Sequence, residues 1–449
     1  MWRGWGMATV WRGPAERPVG YTRLLWKNGE YRKLWLAQVV SNLGDWFNNI
    51  AVLALVWGLT GSGLATGLVI AASQLPMVLL TPISGVVLDR LNRKKVMVAA
   101  DLIRAVLALG FLLIRTPGDI WMAYFFSAAL IAVSAFFQPA VNAIIPQITT
   151  RRELIAANGL SNATFGLMMA VGAALGGVVS GWLGPQAAFV INSLSYLMSA
   201  GLVWSLMGTL SAQRPLGHRT TSSDVWREFL EGLRYARRRP EVLAMLVVKM
   251  GWSLGGGVIV LLTVFAEKVF RAGNSGIGWL YTARGLGIIL GPALIRSWVG
   301  NDFGRIRRTI PLAYLLSGLF YLAFSQAPSL WVAFAVVMLA HFGGGITWTL
   351  SSTVLQQIVP NELRGRLFSV DNTLVVTTSA LSTLLVGWLA EMLSPRLAAA
   401  LAALVFLGYT VLWAGAVAWS RRHHPEAWDE AEVETVEHTL SAPQRVPGP

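Results

Sequence analysis

The 449-residue sequence contains no cysteine and few charged residues. Without cysteine the chain has no disulfide, no thiol nucleophile and no cysteine ligands for zinc or an iron–sulfur cluster. Asp, Glu, Lys and Arg together make up only 13% of the residues, whereas a soluble protein carries about 25%. This scarcity nearly excludes an ordinary soluble enzyme. The first 20 residues also lack an apolar stretch, so we expect no cleaved signal peptide.

Long apolar runs dominate the sequence instead. Hydrophobic residues make up 55% of the chain, and a helix needs about 20 mostly apolar residues to cross a bilayer. Twelve such stretches follow one another, near residues 34–59, 64–88, 94–114, 119–147, 155–182, 186–207, 241–267, 275–299, 309–326, 329–357, 366–393 and 396–420. We therefore predict an all-α integral membrane protein with twelve transmembrane helices.

The positions of Lys and Arg predict the orientation of these spans. They are concentrated in segments 1–33, 89–95, 208–240 and 300–308. The loops on the opposite side hold only Arg115, Lys268, Arg271 and Arg396. Because cytoplasmic loops carry the excess of positive charge, we expect a multi-pass protein of the cell membrane with both termini in the cytoplasm. The formal net charge of +14 then reflects topology, and we expect no nucleic-acid partner.

The same pattern divides the chain into five segments. They are a cytoplasmic N-terminal segment (1–33), a six-helix bundle (34–207), a cytoplasmic linker (208–240), a second six-helix bundle (241–420) and a cytoplasmic acidic tail (421–449). In the linker, DVWREFLEGLRYARRR places Val225, Phe229, Leu233 and Ala236 on one face. This pattern predicts an amphipathic helix on the anionic inner leaflet. The tail ends in Pro and Gly, and we predict that it is disordered.

The two bundles also share sequence features. Pro146 and Asn158 recur as Pro360 and Asn372, both displaced by 214 positions. A two-fold repeat of six spans is typical of transporters that rock one half against the other around a central site.

The loop between the second and third spans has a distinctive charge pattern. It reads GVVLDRLNRKK (residues 85–95), with Asp89 beside Arg90, Arg93 and Lys94. Asp89 can accept hydrogen bonds from backbone N–H groups at a helix N-terminus, and the cations can bridge the two halves. These bonds would form a latch that breaks when the cytoplasmic side opens. The alternative is a loop whose charge serves topology alone.

This loop resembles the signature of the major facilitator superfamily, G-x-x-x-D-R-x-G-R-[RK]. The matching residues are Gly85, Asp89, Arg90, Arg93 and Lys94, with Asn92 in place of the usual glycine. The related loop between spans 8 and 9 keeps Gly300, Asp302, Gly304 and Arg305. The resemblance covers residues 30 to 420 and implies the major facilitator fold, with two pseudo-symmetric six-helix bundles and a cytoplasmic gate at these two loops.

Finer features resemble the drug-exporter branch that includes macrolide-efflux and siderophore-efflux proteins. They lie in segments 32–51, 136–160 and 359–370. Span 5 carries GAALGG, with glycines at Gly172, Gly176 and Gly177, where antiporters of the superfamily usually have G-P-x-x-G-G. Close helix packing is the alternative role for these glycines.

Span 1 carries the strongest candidate for energy coupling. Gln38, Asn42, Asp45 and Asn49 are spaced 4, 3 and 4 residues apart, which places them on one helical face. Asp45 lies about 17 Å into the span, and we predict that it is the only carboxylate near the bilayer centre. An ionised acid there costs about 2.5–3.5 kcal/mol. We hypothesise that Asp45 carries a proton inward; the alternative is a structural Asp bonded to Asn42, Asn49 or a cation on another span.

Three further ionisable residues lie deep in predicted spans. His341 in span 10 is a second proton carrier, a substrate hydrogen-bonder or a satisfied core group. Lys249 in span 7 is a counter-ion for the span 1 acid, or its long stem reaches the cytoplasmic surface. Arg284 in span 8 stays charged, so it needs a carboxylate, backbone carbonyls or an anionic ligand. Asp101 and Arg104 in span 3 are spaced to form a structural ion pair.

The resemblance implies that spans 1, 4, 7 and 10 line a central cavity. Ser134, Gln138 and Asn142 share one face of span 4. The candidate cavity residues are Gln38, Asn42, Asn49, Gln138, Asn142, Lys249, Trp252, Arg284 and Trp348.

These features favour a secondary active exporter of a hydrophobic or amphipathic small molecule, drug-like or siderophore-like, that uses protons and alternating access. We expect no cofactor besides the proton gradient, no metal and a monomer. An uptake carrier or facilitator of the same fold is one alternative. A membrane-embedded enzyme is another, but it would need a cluster of catalytic groups at one depth. The chain also lacks the G-x-x-x-x-G-K-[ST] loop that ATP-driven transport requires.

Overall fold

The computed structural model describes residues 19–77, 79–80, 84, 88, 91–207, 222–299 and 303–428. Within these ranges the regular structure is helical, with no strand. The helices are α1 (Tyr21–Lys27), α2 (Gly29–Thr60), α3 (Gly63–Ala72), α4 (Arg93–Gly110), α5 (Ile120–Ile148), α6 (Arg151–Leu183), α7 (Pro185–Trp204), α8 (Ser222–Arg238), α9 (Pro240–Leu254), α10 (Val258–Val264), α11 (Gly273–Val299), α12 (Phe303–Ser325), α13 (Leu330–Ile358), α14 (Asn361–Met392) and α15 (Pro395–His423).

The helices reproduce the predicted spans. Ten segments within the described ranges are long and apolar enough to cross a membrane. The shorter α3 begins the second predicted span, and α12 occupies the ninth. The first turns of α12 carry Arg305, Arg307 and Arg308, which lower its apolar character. The twelve predicted spans therefore fit the structure, and the predicted all-α membrane fold is confirmed.

Polar side chains in the turns cap the N-termini of five helices. Asn28, Ser62, Asn92, Ser329 and Ser394 each accept a hydrogen bond from a backbone N–H in the first turn that follows. Such caps satisfy donors that have no partner within the helix. They explain why long apolar helices can be joined by turns of only a few residues.

The seventh span is interrupted near its middle. It runs from Pro240 to Val269, and residues Gly255–Gly257 form a 3₁₀ turn between α9 and α10. Ser382 of α14 hydrogen-bonds both sides of this turn, because its Oγ accepts from the Gly257 N–H at 3.0 Å and donates to the Leu254 carbonyl. Interrupted helices are common beside the binding sites of transporters.

Both ends of the described chain lie on one side of the bundle, which we call the termini side. Gly63 follows α2 after a two-residue turn, and it packs directly against Gly387 near the end of α14. Hence α2 and α14 run in the same direction, and the chain enters α2 and leaves α15 on the same side. The charge pattern predicts that this side is cytoplasmic.

The two bundles contact each other on the opposite side. A Cβ atom at Gly177 of α6 would lie 2.6 Å from Cα of Gly278 in α11, so the helix backbones touch there. Nearby, Asn274 Nδ2 donates to the Ser180 carbonyl at 3.0 Å. A second contact between the bundles joins α14 to the start of α3. There Glu391 accepts hydrogen bonds from the Ser62 hydroxyl and, at 3.1 Å, from the Leu64 N–H.

The linker helix α8 lies at the predicted position but packs on protein. Arg366 Nη1 of α14 donates to Glu231 Oε2 at 2.6 Å, and Gly232 lies directly against the Arg366 backbone. Ala236 is fully buried, and Phe229 and Leu233 pack against the core of the second bundle. Part of the predicted lipid-facing surface therefore covers the first turns of α14.

The first residues of the tail are ordered, unlike the disorder predicted for 421–449. Residues 421–423 complete α15, and a further helical turn follows. Trp428 is only 2% exposed; its ring centre lies 6.2 Å from that of Phe303, and its Nε1 donates to Ser420 Oγ at 3.2 Å. A large aromatic ring gains more from this burial than a charged chain does. Residues 429–449 lie outside the described residues.

Candidate functional site

A network of polar residues joins α2, α4 and α7 in the first bundle. The Tyr196 hydroxyl of α7 donates to Oδ1 of Asp45 in α2. Asp101 and Arg104, one turn apart on α4, form a buried ion pair, as their spacing predicts. Ser199 Oγ donates to the second oxygen of Asp101 at 2.7 Å. Asp101 is thus bonded through both oxygens, whereas Asp45 is held through a neutral hydroxyl.

Arg104 lies at the centre of this network. Its guanidinium carbon is 4.4 Å from the ring centre of Tyr196 and 4.3 Å from that of Phe137, distances at which aromatic faces attract a cation. Arg104 is thus the ion-pair partner of Asp101, and Tyr196 connects it to Asp45.

The other predicted polar residues of spans 1 and 4 have different environments. Gln38 is buried, and its Nε2 lies 3.5 Å from the Leu34 carbonyl in its own helix. Asn42 is half-buried, whereas Asn49 of α2 is exposed. Gln138 and Asn142 of α5 are exposed as well. Polar side chains in the middle of membrane helices favour a water-filled cavity over lipid.

The second bundle contains an ion pair that the sequence interpretation missed. Lys249 Nζ of α9 lies 2.5 Å from Asp371 Oδ2 of α14, and both side chains are buried. Lys249 is therefore neither the counter-ion of Asp45 nor a side chain that reaches the surface. Its Nζ lies 5.3 Å from the ring centre of Trp348, another predicted cavity residue.

Asp371 is a second buried carboxylate in a membrane-spanning helix. It lies ten residues from the start of its helix, whereas Asp45 lies 16 residues from the start of α2, so the prediction that Asp45 is the only carboxylate near the bilayer centre stays a prediction. Helix α14 begins at Asn361, five residues before the predicted span, because the basic segment at 364–366 continues the helix. Asp371 is consequently ten residues into α14, or about 15 Å along it. That is close to the position of Lys249, nine residues into α9.

His341 belongs to an aromatic cluster in the second bundle. Its Nε2 lies 3.1 Å from the Tyr321 hydroxyl and its Nδ1 lies 3.0 Å from the Val337 carbonyl. The ring is 2% exposed and meets the Trp252 ring edge-on, with centres 5.8 Å apart. Both ring nitrogens have partners in this cluster, an arrangement that favours the core alternative over the proton-relay alternative.

Arg284 of α11 lies near the junction of the two bundles. Its guanidinium carbon is 5.9 Å from the ring centre of Tyr281. The Tyr281 ring in turn lies 6.4 Å from that of Trp46, the residue after Asp45 in α2. The structure therefore places Arg284 beside the α2–α11 contact.

Only part of the predicted gate lies in the described residues. Gly85, Asp89, Arg90, Gly300 and Asp302 lie outside them. Arg93 Nη1 donates to a carbonyl of α5 at 3.2 Å, and Lys94 Nζ donates to a carbonyl just after α7 at 2.6 Å. Arg305 Nη1 donates to a carbonyl near the end of α11 at 3.1 Å. Each of these cations binds a backbone carbonyl within its own bundle, and the latch stays a prediction.

The three glycines of span 5 lie at helix contacts. Gly172 and Gly176 pack on α2 at Trp46 and Phe47, where added Cβ atoms would come within 2.7 and 3.0 Å of their neighbours. Gly177 packs on α11 of the other bundle. These contacts favour the packing alternative, and the third one lies where the halves meet.

Tyr196, Tyr321 and Asp371 complete the clusters but were not predicted. An acid inside an apolar run is a signal that could have identified Asp371. The two tyrosines have no comparable signal, because a tyrosine in a membrane span is usually a packing or interface residue. Within the described ranges, no group of three or more His, Asp or Glu side chains is arranged to hold a metal ion.

Comparison with known proteins identifies the family. A family model described as transmembrane secretion effector, within the major facilitator superfamily, matches residues 25–444. The chain belongs to this family. It is a multi-pass membrane transporter of the major facilitator type, as the sequence resemblance implied, and membership of this family points away from an enzyme.

Relatives of this transporter cover most of its length. The uncharacterized MFS-type transporter YfiS of Bacillus subtilis is 26% identical over 410 residues, which cover 87% of this chain and 94% of YfiS. The multidrug efflux pump Tap of Mycolicibacterium fortuitum is 26% identical over 380 residues, covering 81% of this chain and 90% of Tap. The crystal structure of the POT family transporter PepTSo superposes with a TM-score of 0.68 at 10% identity, covering 88% and 99% of the two chains, and shows the shared fold.

Proposed function

We propose that this transporter exports a hydrophobic or amphipathic small molecule, drug-like or siderophore-like, in exchange for protons. The name of the relative Tap, a multidrug efflux pump, supports the direction of transport. The exposed polar residues of α2 and α5 and the aromatic residues Trp252 and Trp348 support a cavity for an amphipathic compound.

The observation that carries proton coupling is the charge balance of the first bundle. Asp45, Asp101 and Arg104 form one network with two carboxylates and one cation. A surplus negative charge inside a membrane helix bundle is costly, and one proton removes it. Because Asp101 is already paired with Arg104 and bonded to Ser199, Asp45 is the acid that exchanges the proton. His341 is not needed for this step.

Alternating access follows from where the bundles touch. The Gly177–Gly278 and Glu391–Ser62 contacts join the halves on the side opposite the termini. In the proposed cycle these contacts separate when the bundles rock, and the substrate leaves through the opening. In this proposal the termini side faces the cytoplasm. The exposed Arg234, Arg237 and Arg238 of α8 lie at the anionic inner leaflet. The transporter acts as a monomer.

Everted membrane vesicles test this proposal. A thermal-shift screen over antibiotics, siderophores and dyes first selects a compound that stabilises the purified protein. Acidifying the vesicle lumen should then drive accumulation of that compound by the wild type. Replacing Asp45 by Asn should abolish accumulation while the protein stays folded, because Asn cannot carry a proton.

Two outcomes would contradict the proposal. Full uphill accumulation by the Asp45→Asn variant would remove Asp45 from proton coupling. Depletion of the compound from the acidified vesicles by the wild type would reverse the direction of transport and indicate an uptake carrier. Asp45→Glu, which keeps an exchangeable acid, is the matched control and should retain part of the activity.

A further inference from the structure

Arg284 is a permanent positive charge in the middle of a membrane helix. It is the twelfth residue of the 27-residue α11, about 17 Å from the helix start. Its guanidinium does not lose its proton at any physiological pH. Charged side chains at this depth pair with an opposite charge, with backbone carbonyls or with a ligand.

The other two deep cations each have a carboxylate partner. Arg104 is paired with Asp101, and Lys249 is paired with Asp371. Arg284 has no such partner: within the described part of the chain, no carboxylate lies within ion-pair distance of it. Its Nε atom is buried and makes no hydrogen bond to any described residue.

The groups around Arg284 are aromatic and uncharged. The guanidinium lies near the face of Tyr281, and it interacts electrostatically with Tyr321 and His341. The Tyr321 hydroxyl and the His341 ring are bonded to each other, and the Tyr281 hydroxyl is 3.4 Å from the Ile259 carbonyl. An aromatic face attracts a cation but does not replace a counter-charge.

Arg284 is also partly exposed and lies near the junction of the bundles. The side chain is half-buried, and the Tyr281 and Trp46 rings bring it next to α2. Because no described carboxylate pairs with Arg284, an anionic ligand is the partner that supplies a counter-charge. We propose that Arg284 binds an acidic group of the transported molecule, so the substrate is an amphipathic organic anion such as an aromatic carboxylate. This inference rests on the proposed function, because it assigns the substrate class of the same cavity.

A pair of probes that differ only in charge tests the inference. The probes are 1-pyrenebutyrate and its neutral amide, 1-pyrenebutanamide, and binding is measured by energy transfer from tryptophan in a non-ionic detergent. The wild type should bind the carboxylate at least about tenfold more tightly than the amide, because hydrogen bonds to charged groups are the strong ones. Partition of the probes into micelles cancels when wild type and variants are compared.

Variants at one position complete the design. In Arg284→Gln the preference for the carboxylate should disappear, whereas Arg284→Lys, which keeps the charge, should retain part of it. Equal binding of the two probes by the wild type, or an unchanged preference in Arg284→Gln, would overturn the inference. The binding assay contains no proton gradient, so its result does not depend on proton-driven export. If the export assay showed transport of neutral compounds alone, the proposed substrate class would be refuted and export itself would not.

Discussion

The two bundles contain the same number of deep charges but opposite surpluses. In the first bundle Asp45 and Asp101 lie next to one cation, Arg104; in the second, Lys249 is paired with Asp371 and Arg284 has no carboxylate. A carboxylate can lose its charge by binding a proton, but a guanidinium cannot lose its charge. The comparison suggests that each half needs a different missing partner, a proton for Asp45 and an anionic group for Arg284.

The largest effect on the free energy of unfolding should come from removing Arg104, the cation next to Asp45 and Asp101. Arg104→Gln leaves the buried Asp101 and the half-buried Asp45 without a positive charge, and breaking a buried pair costs about 3–5 kcal/mol. We expect the loss to fall near the upper end of that range because two carboxylates are affected. Chemical denaturation in a non-ionic detergent measures it. A loss below about 1 kcal/mol would mean that the two acids do not depend on Arg104.

A smaller effect is expected at the ion pair of the second bundle. Lys249→Met should lower the free energy of unfolding by about 3 kcal/mol. The loss is smaller because only Asp371 is left without its partner and that acid can take up a proton. The double variant Lys249→Met/Asp371→Leu should recover most of this loss, since replacing a buried pair by apolar residues is often neutral. The same denaturation measurement applies. A double variant as unstable as the single one would show that the two residues are not coupled.

The sequence predicted the architecture better than the pairing of charges. Hydrophobic length identified the spans, and the i, i+3 spacing identified the Asp101–Arg104 pair, because both are local properties of one helix. The Lys249–Asp371 pair joins residues 122 positions apart. Predicting it required knowing that α9 and α14 are neighbours and that α14 begins at Asn361.

Two other differences have the same origin. Asp45 is bonded to Tyr196, a residue 151 positions away that no local pattern distinguishes. Trp428 is buried against Phe303, although the acidic composition around it predicts disorder. In both cases a tertiary contact with an aromatic residue decides the outcome, and composition does not contain that information.

The smallest effect is expected at Arg284, and it separates the two bundles most directly. Arg284→Gln is the same substitution as Arg104→Gln, at the same distance from the start of its helix. Unlike Arg104→Gln, it leaves no described carboxylate without its ion-pair partner. Without ligand, the free energy of unfolding should change by less than about 0.5 kcal/mol, because the substitution of this half-buried residue breaks no ion pair. Thermal unfolding of the two variants side by side measures the contrast. A loss at Arg284 as large as that at Arg104 would mean that this guanidinium stabilises the fold through a partner of its own, and the second bundle would then have no surplus charge to offer a substrate.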